Sequence, residues 1–212
     1  MLVPAYLWAV LGAIMLATCL LVGGWSEPAK ADPPPAQYSI TDLGTLPGRD
    51  ISIASGINNR GQVVGSSTDL ASHQTHAFLW EKGMMTDLGT LPNARISTAS
   101  DINNRGQVVG NSTVPPGHAL AILWEKGMIT DLGTLGPIYS VASAINELGQ
   151  VVGVSYAGSV GERAFVWENG QMIDLGTLGG NYSTAHDINN RGQIVGYSLT
   201  STRDTRAFLW SK

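Results

Sequence analysis

A nine-residue phrase is written four times in this chain, and no other feature restricts the fold as much. It stands as INNRGQVVG at 57–65 and 102–110, then as INELGQVVG at 145–153 and INNRGQIVG at 188–196. The copies begin 43 to 45 residues apart. Two further words keep that period. DLGTL begins at Asp42, Asp87, Asp131 and Asp174, and Ala-(Phe/Ile)-(Leu/Val)-Trp ends at Trp80, Trp124, Trp167 and Trp210. A period of this length marks an architecture in which one supersecondary unit is built repeatedly and buries its apolar face on its neighbours. The phrase is therefore read as scaffold made four times, in preference to a site used four times.

Each word reads as strand or hairpin. In AFLW the period of two sends Phe78 and Trp80 to one face and Ala77 and Leu79 to the other. WEKGM and WENGQ place glycine at the third loop position of a tight hairpin, which fits a type I turn closed by a left-handed glycine. In NNRGQ, Asn58 can bond its own turn, and Gly61 takes the positive φ that a Cβ resists. The expected strands of the first unit are ASGIN, QVVGSS, HAFLW and MMTDLGTL, and no stretch after residue 37 has helical periodicity. Four antiparallel strands per unit describe a propeller blade. The chain opens on YSITDLGTL, a fourth strand without its first three, and closes on RAFLWSK, where a unit lacks its fourth. The expectation is an all-β, four-bladed β-propeller closed by pairing of the N- and C-terminal strands, with an open β-repeat solenoid as the alternative.

Spacing divides the ends of the strands. The step from the Ile to the last Gly of its word is 8 residues in every unit, and from Trp to the next Asp it is 7. Asp to Ile takes 15, 15, 14 and 14, and Gly to Trp takes 15, 14, 14 and 14. In an up-and-down sheet the constant hairpins share one end and the variable loops share the other, where function is usually grafted. The loops GRDIS, NARIS, PIYSV and NYSTAHD supply Arg49, Asp50, Arg95, Tyr139 and Tyr182. STDLASHQTH, NSTVPPGH, SYAGSVGER and YSLTSTRDT supply His73, His118, Tyr156 and Arg203. Tyr, Ser, Asn and Arg suit adaptable contact surfaces, and these nine residues are the candidates for binding a glycan or a protein.

The first thirty residues differ in kind. Tyr6–Gly24 carries no charge and is followed by Ala29-Lys30-Ala31, a small-x-small sequence of the kind cleaved in export signals. The run also approaches bilayer-spanning length, so residues 1–31 are read as a signal peptide or membrane anchor. Residues 32–37, rich in proline, form a stiff linker, and 38–212 form the repeat domain. Both readings of the start place the domain outside the cytoplasm. A membrane contact is expected only through that segment if it stays uncleaved. Cys19, the single cysteine, falls inside it, so the domain has no disulfide.

From residue 38 to 212 the chain resembles the HAF-repeat family, exported bacterial repeat proteins named for a His-Ala-Phe tripeptide. His76-Ala77-Phe78 matches that name, and DLGTL with INNRGQVVG matches the rest of the repeat. The His position is Leu120 in the second unit and Arg163 and Arg206 in the third and fourth. The resemblance implies an extracellular or envelope location and carries no defined activity.

The remaining prominent residues read as structure. The four repeated tryptophans are expected as a core layer, each removing about 200 Å² from water. The DLGTL aspartates are expected to bond neighbouring amides rather than to ring a calcium ion, because no calcium loop is present. The four histidines have no ligand spacing, no nucleophile elbow occurs, and the glycine-rich LGTLGG precedes no helix, so no metal, cofactor or phosphate site is expected. Asp50, Asp69, Glu162 and Asp204 could supply a carboxylate pair to an envelope hydrolase or lyase, the alternative to a non-catalytic module. With 12 basic and 16 acidic residues the chain lacks the footprint of a nucleic-acid binder. A monomer or small homo-oligomer is expected.

Overall fold

The structure is a computed structural model that describes residues 38–212; the signal or anchor reading of 1–31 and the linker 32–37 lie outside the described residues. Fifteen strands fall into four units. The first holds β1 (Ile51–Ile57), β2 (Val63–Asp69), β3 (Gln74–Glu81) and β4 (Met84–Gly89). The second holds β5 (Ile96–Ile102), β6 (Val108–Val114), β7 (His118–Glu125) and β8 (Met128–Asp131). The third holds β9 (Ser140–Ile145), β10 (Val151–Tyr156), β11 (Glu162–Glu168) and β12 (Gln171–Asp174). The fourth holds β13 (Gly179–Ile188), β14 (Ile194–Thr200) and β15 (Thr205–Trp210). One 3₁₀ turn, Gly158–Val160, is the only helical element among the described residues.

Every unit is an antiparallel meander, and the first strands of successive units lie against one another. Single parallel bridges, Thr75 to Ile96 and Glu162 to Tyr182, tie a third strand to the next unit. Alternation gives each unit two apolar faces. The forward face of the first, Val64, Ala77 and Leu79, packs on the rear face of the second, Ala99, Ile102, Val108, Ile122 and Trp124. The same contact recurs as Val109, Ala121 and Leu123 on Ala142, Ile145, Val151 and Phe165. It recurs again as Val152, Ala164 and Val166 on Ala185, Ile188 and Ile194. Each fully buried Val, Leu, Ile or Phe contributes about 1.5–3 kcal/mol, so these boundaries form the core. Trp124 is buried in this layer as expected, whereas Trp80, Trp167 and Trp210 are half-buried.

Polar bonds repeat with the same period. The Asn58 amide Nδ2 donates to Gln62 Oε1 at 2.7 Å and, across the unit boundary, to the Asn103 carbonyl at 3.0 Å. Asn103 reaches Asn146 at 3.0 Å and Asn146 reaches Asn189 at 3.1 Å in the same way. The asparagines expected as turn residues do hold their turns, since Asn58 Oδ1 accepts from the amides of Arg60 and Gln62. They also staple one unit to the next. A second series runs through serine: the amides of Ala77, Ala121 and Ala164 each donate at 2.9 Å to Ser97, Ser140 and Ser183 of the following unit. Each of those hydroxyls then donates to a DLGTL-word carbonyl, of Gly89, Gly133 and Gly176.

The last glycine of the nine-residue phrase has a steric reason. A Cβ on Gly110 would stand 1.9 Å from the Thr98 carbonyl oxygen, and Gly65, Gly153 and Gly196 are as tightly placed against β1, β9 and β13. These glycines sit opposite the bulge in the first strand of each unit. The 82–83 hairpin differs from expectation. Lys82 and Gly83 have φ of 50° and 84°, as do their counterparts Lys126-Gly127 and Asn169-Gly170 in kind, so the turns are two-residue loops with both residues left-handed. That geometry matches the right-handed twist of the strands, which a type I turn would splay.

The closing strand pair expected at the termini is not among the ladders of the described residues. β15 pairs with β14 alone. Asp42–Leu46 carries no strand and lies instead on the first unit, with Leu46 N–H donating to Ser67 Oγ at 3.2 Å and Ser52 Oγ donating to the Gly44 carbonyl at 2.6 Å. The physical reason is visible in the inner copies. Leu91, Leu135 and Leu178 make the same bond to Ser112, Ser155 and Ser198, so the end of each DLGTL word is fastened to the unit that follows it.

Candidate functional site

The loops that vary in length, 2-to-3 within a unit and 4-to-1 between units, share one end of the strands, as the spacing requires. The constant turns at 58–62 and 82–83 share the other. In the third and fourth units aromatic side chains gather from the loop end inward along β13 and β14. Tyr139 stacks on Tyr156 with ring centroids 6.1 Å apart. Tyr182 stacks on Tyr197 at 5.6 Å, and His186 on the same Tyr197 at 5.4 Å. The two hydroxyls of Tyr182 and Tyr197 lie 3.3 Å apart. Glu162 opposes Tyr156 across β10 and β11 and is bridged to Tyr182 across the unit boundary.

Electrostatics keep two of these phenols, Tyr139 and Tyr182, neutral. Burial, then a hydrogen bond to the Glu162 carboxylate, raise the Tyr139 phenol well above its ordinary value of 10. Burial, then the hydroxyl of Tyr197, raise Tyr182 in the same direction. Both phenols therefore remain donors at every physiological pH, beside a carboxylate acceptor. Stacked rings flanked by a donor–acceptor pair can cover an apolar ring face and bond its hydroxyl edge.

Three of the nine sequence candidates, Tyr139, Tyr156 and Tyr182, are thus assembled in one place. The others are distributed. Arg49 Nη1 donates to the Gln74 carbonyl at 2.6 Å, and Asp50 accepts the Leu70 amide at 2.8 Å, which ties two loops of the first unit together. His73 occupies the turn between them with φ 57°. Arg95 lines a hollow of the second unit with Asn93, Thr113 and Pro115, and His118 pairs with Val114 at the start of β7. Arg203 borders an open depression with Gly179, Asn181 and Ser201 on the fourth unit. Sequence reasoning missed Tyr197 and His186. His186 lies in NYSTAHD on β13 and Tyr197 opens YSLTSTRDT on β14, segments from which only Tyr182 and Arg203 were taken as candidates. The available signal was departure from the repeat: Tyr197 stands where the other units have Ser66, Asn111 and Val154.

The carboxylates proposed for hydrolysis are each held by other partners. Asp69 accepts from Ala71, Ser72 and the Ser72 hydroxyl, which lower its carboxyl below 3.8 and suit a fixed anion rather than a proton donor. Asp204 accepts from Thr202 and faces Arg206 at 3.6 Å. The four DLGTL aspartates each accept the amide of the glycine two residues on, at 2.7–2.9 Å. Among the described residues no three His, Cys, Asp or Glu side chains are grouped as a metal site.

No protein-family model matches the chain, and no curated protein does. A solved structure does: "Crystal structure of TolB from Acinetobacter baumannii", with a TM-score of 0.56, 11% identity and 76% of this chain covered. The match covers 41% of that chain, so the present protein corresponds to about two fifths of it. At such identity the likeness concerns the fold, and it places the chain among propeller-like all-β proteins.

Proposed function

We propose that the chain is a non-catalytic, exported module of the HAF-repeat kind that binds a surface glycan or protein at the cell envelope through its variable-loop end. Its four units are blades of a propeller completed by joining their two free ends. The observation that carries the binding reading is the seam of Tyr139, Tyr156, Tyr182, Tyr197 and His186 around Glu162. A repeat that keeps its scaffold words in register places these rings only in its third and fourth units, where the scaffold does not need them. A saccharide fits best: pyranose faces stack on tyrosine, and Glu162 accepts from a hydroxyl. Export rests on the apolar run Tyr6–Gly24.

The test is a glycan array probed with the parent and with Tyr139→Ala and Tyr182→Ala. The reading expects a bound saccharide class that both variants lose by tenfold or more while melting within a few degrees of the parent. Undiminished binding by both variants would move the site elsewhere, and release of cleaved sugar would replace the binder with an enzyme.

A further inference from the structure

The two end units carry, uncovered, the two halves of the contact that joins every inner pair. On the rear face of the first unit Ile57 is 68% exposed, where its counterparts Ile102, Ile145 and Ile188 are 4–6% exposed. On the forward face of the fourth, Val195 and Leu209 are 44% and 65% exposed, where Val109 and Leu123 are 0% and 6%. Area alone would make these faces adhesive; their polar groups make them specific. Among the described residues, Asn189 Nδ2 bonds Gln193 within its own turn and no carbonyl of another unit, and no asparagine reaches the Asn58 carbonyl. Ser52 donates to Gly44 as Ser97 does to Gly89, yet among the described residues no alanine amide donates to Ser52 and the Ala207 amide donates to no serine.

Charge follows the same rule. Arg163 faces Asp174, 3.8 Å away, and His76 faces Asp87 at 2.7 Å, pairing the third strand of a unit with its DLGTL word. In the fourth unit Arg206 stands in that place, 3.6 Å from Asp204 of its own loop, and the DLGTL word that pairs with no third strand among the described residues begins at Asp42, on the first. Asp101 accepts from the amide of Ile145 in the next unit at 3.0 Å; Asp187, its counterpart, bonds only its own neighbour Ile188, and the matching amide belongs to Ile57.

We propose that the forward face of the fourth unit docks on the rear face of the first unit of a second copy of this chain, and the reverse, so that two chains close a ring through two identical head-to-tail contacts. This rests on the reading that the units complete a propeller by joining their ends. The second copy is favoured over the same chain because the three inner boundaries are all made, by one set of bonds that fixes the turn per unit, and the two faces still stand uncovered. Doubling the four units reaches about the upper end of the range of propeller blade numbers. A head-to-tail contact that closes by rotation gives a ring rather than a filament.

The full chain in mild detergent, measured by native mass spectrometry at about 10 µM, tests this. The parent is expected to be a dimer. Leu209→Arg spoils the forward face and Ile57→Arg the rear face, and each variant alone is expected to be monomeric. An equimolar mixture of the two retains one sound contact and is expected to restore a dimer with one chain of each. Both positions are solvent-exposed, so the variants should melt like the parent at dilution. A parental monomer whose melting temperature drops on Leu209→Arg overturns the proposal in favour of closure within one chain. A parental monomer indifferent to Leu209→Arg removes end-joining altogether, and a dimer that survives both substitutions assigns association to another surface.

Discussion

Changing Asn103 to Asp separates two roles that one side chain performs. Asn103 is buried, and its amide makes four bonds: Oδ1 accepts from the amides of Arg105 and Gln107 at 3.0 and 3.1 Å, and Nδ2 donates to Gln107 Oε1 at 2.7 Å and to the Asn146 carbonyl at 3.0 Å. Aspartate keeps both acceptor bonds and is as good a turn residue as asparagine. It loses both donor bonds and sets a carboxylate oxygen against the Asn146 carbonyl. A flip of the Gln107 amide restores one donor only by turning its NH₂ toward Arg105, which now donates to the same oxygen. One lost neutral bond is worth about 1 kcal/mol, and the acceptor left unpaired in a buried site costs about 1–2 kcal/mol more. Asn103→Asp should therefore destabilise by about 2–3 kcal/mol, a fall in melting temperature of roughly 4–12 °C for a domain of this size. Urea unfolding followed by tryptophan fluorescence reads it directly. Stability within about 0.5 kcal/mol of the parent would mean that the asparagines are turn formers only, and the stapling between units would have to be abandoned.

Trp124 offers a second contrast, because its indole N–H is buried without an acceptor. Trp124→Ala should cost about 3–5 kcal/mol, whereas Trp124→Phe, which trades volume for relief of that donor, should stay within about 1 kcal/mol of the parent in the same unfolding assay. Gly110→Ala places a Cβ 1.9 Å from a backbone oxygen and should cost about 3 kcal/mol or more, which thermal melting will show; a neutral result would deny the close approach of β5 and β6. Burial, the largest influence on it, raises the Asp101 carboxyl above 3.8 despite the amides of Ile145 and Ile102. The folded state thus holds that proton more tightly than the unfolded one. Its contribution to stability should be greatest below 3.8, fall as pH rises through the folded value, and level off above it. Asp101→Asn should flatten that slope in urea titrations taken across the acid range, and an unchanged slope would assign it to another group.

The repeat made most of the scaffold readable. Words at fixed spacing fixed the number of units, the antiparallel meander, the two faces of Ala77-Phe78-Leu79-Trp80 and the end of the strands that carries variable loops. Less legible was anything that joins one unit to another. That Asn58 bonds its own turn follows from local chemistry; that its Nδ2 also reaches the Asn103 carbonyl depends on how two units stack, 45 positions apart in the chain. The left-handed Lys82 was hidden because lysine has no local preference for that conformation, so the twist of the strands had to impose it. The fate of the terminal words was misjudged for a related reason. DLGTL belongs to two units at once, pairing with the strand before it and fastened by its last leucine to the serine after it, and sequence gives no relative strength for the two. In the candidate site, Tyr139, Tyr156 and Tyr182 were legible as aromatics of the variable segments, while Tyr197, the first residue of YSLTSTRDT, was not, because its stacking on Tyr182 depends on the pairing of β13 with β14.

Amide hydrogen exchange at the four repeated alanines, on chains diluted until single, tests most directly the claim that one bonded boundary is built three times and left open once. Ala77, Ala121 and Ala164 donate to serines across a boundary and should exchange slowly. Ala207, in the same place on β15 but donating to no serine, should exchange at least about tenfold faster, since protection follows a made bond. Equal protection at all four positions would contradict the account, for it would mean that the chain closes the fourth boundary on itself.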